Sequence, residues 1–308
     1  MNPLRSRVAR IQARKSLASA PAPLAEADTE PQPEPGDYAA FLRDTLPQQA
    51  TGVASHRFGS ERVWLKKAGP RHGRLRYVLL SICARMLRLD VLTPVPNPGG
   101  EAAIAIEARR LTELGEIGLR VPTVLAQQPD ALLLSDLGQS GRPPVMLQER
   151  LEQAAASGPA ALLTAWREGL AAIAAVHACG CYLSQAFARN LVLCADEVIG
   201  YIDFEDDPGA TLTLAECQAR DWLSYLHSTA ALVDAASPHT AGAHWHAALT
   251  IASDAVRERL ALAARRMRWL RHLPGSRRFG RDTQRVRAVA RLLTRWHAGD
   301  RAGQRRGA

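Results

Sequence analysis

One acidic side chain stands in the middle of an apolar helical stripe. The stripe consists of Ile104, Glu107, Leu111 and Leu114, at steps of three, four and three residues. These steps place all four side chains on one face of an α-helix. A buried carboxylate needs a cation beside it or must take up a proton. Lys66 or Lys67, in a strand predicted upstream, would supply the cation; the alternative is a rotated helix that leaves Glu107 in water.

A second pair of polar side chains flanks a predicted hairpin. The apolar runs 191–194 and 198–202 are separated by three residues, and Asn190 and Asp203 stand at their outer ends. Antiparallel pairing brings those ends together. An amide oxygen beside a carboxylate suits Mg²⁺, whose remaining ligands would be phosphate oxygens. The alternative is two turn residues that close the hairpin.

His177 falls on the apolar face of a helix predicted over 159–178, just before Cys179 and Cys181. This spacing is poor for tetrahedral metal ligation. We therefore expect a structural histidine that holds the following loop. The chain has five cysteines, an odd number without a C-x-x-C pair, which favours a reducing compartment.

Hydrophobic periodicity predicts the elements that would hold these side chains. Strands come first and helices later, an order typical of an α+β fold with two lobes. The predicted strands cover 62–67 and 131–134, and the predicted helices cover 75–89, 101–118, 159–178, 214 into the 230s, 255–273 and 281–297.

Composition divides the chain into four parts. Residues 1–37 are rich in proline and alanine and poor in bulky apolar side chains, which predicts disorder up to about Tyr38. We expect an N-terminal lobe over 38–138, with an inserted helix near 75–90, and a C-terminal lobe over 139–254. The basic C-terminal segment, 255–308, holds 16 arginines and three acids, a net charge of +13 in a chain of net charge +9.

Composition also excludes several classes of protein. The 308 residues, 47% apolar and 22% charged, are typical of a globular protein and exclude a collagen, a disulfide-stapled miniprotein and a chain disordered throughout. Residues 1–15 lack the apolar core of an export signal, and the most apolar stretch, 77–92, is too short and too charged to span a bilayer. We expect a cytoplasmic protein.

The basic C-terminal segment suits a polyanionic partner. Its last predicted helix has one apolar face, which consists of Val286, Val289, Leu292, Leu293 and Trp296. Three interpretations remain open. The helix docks on the C-terminal lobe, or the segment binds an anionic membrane leaflet and holds the protein at the inner membrane, or it binds nucleic acid, which ranks third.

Several of these residues together resemble one family. Residues 177–190 (HACGCYLSQAFARN) are similar to the catalytic loop of atypical protein-kinase-like phosphotransferases, which reads H-x-x-G and then H-G-D-x-x-x-x-N. Residues 202–205 (IDFE) resemble the D-F-G motif of that superfamily, and residues 63–66 (VWLK) resemble its V-A-I-K motif. Residues 132–138 (LLLSDLG) look like the hinge, and Asp221 looks like the aspartate that steadies the catalytic loop.

The resemblance spans about residues 38–235. Within the superfamily it points to bacterial lipopolysaccharide core sugar kinases, including the Kdo kinase, and to RIO-type protein kinases. It implies a bilobal protein-kinase-like fold with ATP and Mg²⁺ as cofactors. The acceptor it implies is a hydroxyl group of a sugar or glycolipid, or of a protein serine or threonine.

The resemblance also implies roles for the candidate residues. Lys66 would hold the α and β phosphates of ATP and pair with Glu107, while Asn190 and Asp203 would carry Mg²⁺. The backbone of Ser135 and Leu137 would border the adenine. His177 and Asp221 would support the catalytic loop. These roles agree with the physics of phosphoryl transfer, in which catalysis is mainly positioning and charge neutralisation.

One departure from the family pattern bears directly on activity. Gln185 stands where the catalytic aspartate is expected, and a neutral amide cannot take a proton from an incoming hydroxyl as a carboxylate can. General-base assistance is typically worth about 10²–10⁴-fold in rate. The glycine-rich phosphate loop is also degenerate. The sequence therefore predicts either a phosphotransferase with an altered base position or a pseudokinase that binds nucleotide and acts as a scaffold.

Overall fold

A computed structural model describes residues 34–69, 99–139, 142–275, 278 and 280–306. The described chain divides into two compact units. The first contains the described residues within 1–73, 96–144 and 193–207, and the second contains those within 145–192 and 208–308. Residues 193–207, which carry Asp203, thus belong to the first unit.

The first unit is built on a four-stranded antiparallel sheet in the order β1-β2-β4-β3. The strands are β1 (Val53–Phe58), β2 (Glu61–Lys67), β3 (Val124–Gln128) and β4 (Ala131–Ser135). Two helices accompany it, α1 (Pro35–Thr45) and α2 (Gly100–Glu116). Gly59 forms the turn between β1 and β2 at a φ of 58°, a left-handed conformation that glycine adopts without a steric penalty.

Alternation along β2 sets which side chains meet the core. Val63 and Leu65 are fully buried and pack with Leu42, Ala131 and Leu133. Successive side chains of a strand point to opposite faces, so Lys66 lies on the other face of the sheet. The register is fixed by pairing of Lys66 with Val53 of β1 and with Leu132 of β4.

The second unit is largely helical. Its helices are α3 (Leu147–Ser157), α4 (Pro159–Ala178), α5 (Leu214–Ala236), α6 (Pro238–Leu249), α7 (Asp254–Met267) and α8 (Arg281–Arg306). Short 3₁₀ helices cover Ala188–Asn190, Pro208–Ala210 and Arg268–His272. Strand β5 (Val145–Met146) is hydrogen-bonded to β6 (Leu191–Leu193). The next strand along the chain, β7 (Ile199–Tyr201), belongs to the first unit.

The core of the second unit forms where α4 meets α5. The Trp166 indole donates to Thr229 Oγ1 (2.9 Å), and the Tyr225 hydroxyl donates to the Trp166 carbonyl (2.9 Å). The helices approach closely at Gly169, where an added Cβ would lie 2.2 Å from the Tyr225 hydroxyl. Helix α5 begins with a capping box, because Thr213 accepts from the Glu216 amide and Glu216 accepts in return.

Helix α8 completes this core. Val289, Leu292, Leu293 and Trp296 are buried on its inner face. The interpretation of the last predicted helix as one docked on the helical part of the protein is therefore confirmed. No helix among the described residues has a long enough apolar stretch to cross a membrane.

The α+β prediction agrees with the small antiparallel sheet and the larger helical part. The helix expected over 159–178 is confirmed at both ends, and the predicted hairpin is closed by the Cys194 amide donating to the Val198 carbonyl (2.9 Å). The start of order predicted near Tyr38 lies three residues after the start of α1 at Pro35, where Glu34 and Asp37 form a capping box. The rest of the predicted disordered segment and the helix near 75–90 lie outside the described residues.

Candidate active site in the first unit

The centre of the candidate site is the Lys66 ammonium, which contacts three carboxylates. Its Nζ lies 2.7 Å from Glu107, 2.9 Å from Glu205 and 3.3 Å from Asp203. Glu107 is only 2% exposed, so the expected buried carboxylate on the apolar face of α2 is confirmed. Since an ammonium group has three protons, these three carboxylates can engage all of its donors.

Burial and charge act in opposite directions on this cluster. Burial alone would lower the pKa of Lys66, but the charges of Glu107, Asp203 and Glu205 together raise it above its ordinary value. Lys66 is therefore positively charged throughout the physiological range. Burial raises the pKa of Glu107, and the Lys66 ammonium opposes that shift. The ion pair is thus what makes a charged Glu107 tolerable at this depth.

The two adjacent lysines have different partners. Lys67 Nζ donates to the carbonyl oxygen of Gln49 (2.8 Å), whereas Lys66 Nζ contacts Glu107. The alternation of a strand explains the difference, since neighbouring residues face opposite sides of the sheet. Of the two candidates left open by the sequence, Lys66 is the one beside the buried acid.

The segment 203–207 is held by two sets of ion pairs. Asp203 and Glu205 contact Lys66, and Asp207 lies 2.6 Å from the Arg109 guanidinium of α2. Asp203 has a φ of 71°, in the left-handed region that residues with a Cβ rarely adopt. Such conformations cost about 1–3 kcal/mol and cluster at functional sites.

The predicted hinge follows β4. The Ser135 amide donates to the Thr123 carbonyl (2.9 Å), and its hydroxyl accepts from the Thr123 amide (2.8 Å). The Ser135 N–H is thus already used within the protein, which leaves its carbonyl and the backbone of Leu137 for any adenine contact. Asp136, between them, accepts a hydrogen bond from the Trp64 indole (2.7 Å).

In the second unit, Asp221 organises the catalytic-loop-like segment. It is fully buried, and its Oδ2 accepts from the Leu183 amide (2.7 Å) and lies 3.0 Å from His177 Nε2. Gln218, one turn earlier on α5, donates to the carbonyls of His177 and Cys181 (3.2 and 3.0 Å). These bonds hold the loop between α4 and β6 to α5, which is the geometry expected for His177 and Asp221 as supporting residues.

Gln185 and Asn190 lie within that loop. The Asn190 side-chain amide donates to the Gln185 carbonyl (3.0 Å), and Asn190 is buried. Ser184, just before Gln185, is fully buried at a φ of 74°. The backbone around Gln185 is thus fixed by internal hydrogen bonds, while the Gln185 side chain is half-buried.

The first unit holds two carboxylates that are candidate ligands of a divalent cation. Asp203 and Glu205 offer hard carboxylate oxygens, the ligand type that Mg²⁺ prefers, and both share one ammonium with Glu107. Among the described residues no cluster of three or more His, Cys, Asp or Glu side chains has the geometry of a metal site. Asn190 and Asp203, the expected ligands of Mg²⁺, belong to different units. Their joint role as a metal site stays a prediction.

Sequence reasoning did not place two of these contacts. Glu205 at Lys66 and Asp207 at Arg109 join segments about 100 residues or more apart, and no local periodicity reports such a contact. The available signal was the acidic run Glu205, Asp206 and Asp207 directly after the metal-ligand candidate Asp203.

The sequence was also compared with known proteins. No protein-family model matches this chain, and a search of curated proteins finds no match.

Proposed function

We propose that this protein is an ATP- and Mg²⁺-dependent phosphotransferase of the protein-kinase-like type. One observation carries the proposal: Lys66 Nζ lies 2.7 Å from the buried Glu107 and 3.3 Å from Asp203. A fixed ammonium beside a hard-oxygen ligand is the arrangement that phosphoryl transfer requires, because the reaction depends on positioning the phosphates and neutralising their charge.

Each residue would contribute to binding or to orientation. Glu107 holds the Lys66 ammonium in place, and Lys66 would donate to the α and β phosphate oxygens. Asp203, with Asn190, would hold Mg²⁺. The bound MgATP supplies the phosphoryl group for the acceptor hydroxyl and leaves as ADP. Ser135 and Leu137 would border the adenine through the backbone, by the same resemblance.

The acceptor follows only from the resemblance to lipopolysaccharide core sugar kinases and RIO-type kinases. We propose a sugar hydroxyl of a lipopolysaccharide-type glycolipid or a protein serine or threonine, in the cytoplasm or at the inner membrane. Gln185 would orient that hydroxyl through its amide oxygen, without the charge of a general base. We expect a rate about 10²–10⁴-fold below that of an aspartate-containing enzyme.

The decisive experiment follows transfer of labelled phosphate from ATP to a bacterial membrane extract and to a general protein acceptor. We expect Mg²⁺-dependent product with the natural chain, none with Asp203→Asn, and none with Lys66→Met. Lys67→Met is the matched control, because it removes the neighbouring lysine, which contacts Gln49 instead. Failure to form any product would contradict the proposal.

Gln185 favours a second candidate, a pseudokinase that binds nucleotide without transferring phosphate. It predicts that ATP raises the melting temperature of the protein while no product forms, and that Gln185→Asp creates activity. Native turnover that falls in Gln185→Ala would contradict this candidate and support the phosphotransferase.

A further inference from the structure

Some arginines of the basic C-terminal segment have partners inside the second unit. On α8, Arg295 lies 2.6 Å and Arg291 3.4 Å from the carboxylate of Asp234. Arg287 donates through Nε to the Arg271 carbonyl (3.4 Å). With its apolar face also buried, α8 is a structural helix, and its charges are partly used to dock it.

Another group lies where α7 passes into the 3₁₀ helix. It consists of Arg265, Arg266, Arg268, Trp269 and Arg271, which we call the arginine corner. Arg265 and Arg268 are exposed, and the Trp269 side chain is 60% exposed. Among the residues that the structure describes, no carboxylate lies within 4 Å of any of its four guanidinium groups.

The sequence around the arginine corner carries no compensating charge. Between positions 259 and 281 there are eight arginines and no aspartate or glutamate. Between 259 and 275 there is also no serine, threonine, asparagine, glutamine, lysine or tyrosine, so every residue is arginine, histidine or apolar. Trp269, which is 60% exposed, thus stands among cations that have no carboxylate within 4 Å in the described part of the chain.

We propose that the arginine corner docks the protein onto an anionic lipid surface. The guanidinium groups bind lipid phosphates, for which their planar fork is well suited, and the Trp269 indole enters the boundary between headgroups and acyl chains. The proposal rests on the charge and exposure of these residues and is independent of phosphoryl transfer.

The composition favours a membrane over a nucleic acid. Nucleic-acid interfaces supplement arginine with hydrogen-bonding side chains such as serine, threonine, asparagine and glutamine, and the stretch 259–275 has none of them. Arginine, tryptophan and leucine without uncharged polar residues are instead typical of segments that lie in a membrane interface. Arg268, Trp269 and Arg271 all belong to one 3₁₀ helix of five residues, so the cations and the exposed aromatic residue lie close together along the chain.

The test uses the full chain and sedimentation with vesicles. We expect binding to vesicles that contain phosphatidylglycerol in phosphatidylcholine, weakening as salt rises, and no binding to phosphatidylcholine alone. A juxtamembrane arginine contributes about fivefold in affinity. Replacement of Arg265, Arg266, Arg268 and Arg271 by alanine should therefore weaken binding by about a hundredfold or more.

A matched control removes four exposed arginines elsewhere. The variant Arg43→Ala, Arg57→Ala, Arg62→Ala and Arg150→Ala has the same net charge as the corner variant and leaves the corner intact. We expect it to bind vesicles within a few-fold of the natural chain. Equal losses in the two variants would overturn the proposal, because they would show a response to net charge alone.

Trp269 supplies an independent readout. All six tryptophans are within the described residues, and Trp269 is the exposed one; Trp64 is half-buried and the others are buried. Anionic vesicles should shift the tryptophan emission to the blue, and Trp269→Ala should abolish that shift.

A nucleic-acid partner gives the opposite pattern. Single-stranded RNA would then bind with a steeper salt dependence than vesicles do, displace them from the corner and quench Trp269 without a blue shift. That result, or vesicle binding unchanged in the corner variant, overturns the proposal.

Discussion

The two most charged regions of the molecule are organised in opposite ways. At the candidate active site one ammonium, that of Lys66, contacts three carboxylates and is largely buried. At the arginine corner four guanidinium groups have no carboxylate within 4 Å among the described residues, and the arginines that carry them are exposed or half-buried. Buried charges must be paired because removing them from water costs free energy. Exposed charges remain hydrated, so leaving them unpaired costs little folding free energy. Removing a charge at the candidate active site should therefore lower the free energy of unfolding. Removing a charge at the arginine corner should weaken only the binding of anionic vesicles.

The sharpest test of this contrast is Lys66→Met. It leaves Glu107 buried without its cation, and breaking a buried ion pair costs about 3–5 kcal/mol of unfolding free energy. Denaturant unfolding measures the loss. Lys67→Met, which removes only a hydrogen bond to Gln49, should cost about 1 kcal/mol. If the two variants lose similar amounts of unfolding free energy, the ion pair of Lys66 with Glu107 does not have the expected importance for stability.

The double variant Lys66→Met with Glu107→Leu separates pairing from burial. Replacing both partners of a buried pair by apolar residues is often neutral. We expect the double variant to recover most of the stability that Lys66→Met loses. A double variant as unstable as the single one would show that Lys66 acts by packing and not by neutralising Glu107.

A smaller effect is expected from Glu205→Gln. Glu205 is one of three carboxylates on Lys66, and its contact must loosen before Lys66 can donate to phosphates. Removing its negative charge should tighten ATP binding about tenfold, the effect of roughly 1.4 kcal/mol of repulsion. Calorimetric titration with ATP measures this. Weaker binding in the variant, seen only with Mg²⁺, would show that Glu205 is a metal ligand.

The same contrast explains what the sequence could predict. Glu107 was found because its spacing puts it on an apolar helix face, and the need for a cation then followed from burial. The Lys66 contacts to Asp203 and Glu205 span more than 130 residues and depend on where the chain returns to the sheet. Hydrophobic periodicity indicates which face of a single helix or strand is buried. It does not indicate which distant segment of the chain packs against that face.

The fold was predictable to a similar extent. Helix α4 and the hairpin of β6 and β7 have strong local signals and were found, whereas α3 and α6 were not predicted. Helix α6 is short and rich in alanine and histidine, and its buried residues are few: Ala241, Trp245 and Leu249. Such a helix is stabilised by its neighbours more than by its own pattern.

Arginines of α8 and arginines of the arginine corner should affect different properties of the protein. Arg295→Ala removes a partner of the nearly buried Asp234, and since Arg295 is itself about a third exposed we expect a loss of only about 1 kcal/mol. Its binding to anionic vesicles should be unchanged. Arg268→Ala at the arginine corner should do the reverse, with normal unfolding and weaker binding. Equal behaviour of the two variants would mean that the segment acts as one basic surface.

The smallest effect concerns His227, which lies in the cation-rich part of the second unit. Burial lowers the pKa of His227, and the nearby Arg285 and Arg189 lower it further. Because the folded-state pKa lies below the ordinary value of 6.5, the unfolded chain takes up the proton first, and stability is lost as the pH falls below about 6.5. His227→Gln should flatten this loss, by less than about 1.4 kcal/mol per pH unit.

The exposed His272 provides the matched control for this measurement. Unfolding free energies of His227→Gln and His272→Gln are compared with those of the natural chain between pH 7 and pH 5. His244, whose pKa burial also lowers, remains in both variants and should leave a residual slope. If His227→Gln keeps the full slope of the natural chain, the prediction that burial and the neighbouring arginines lower the pKa of His227 is wrong.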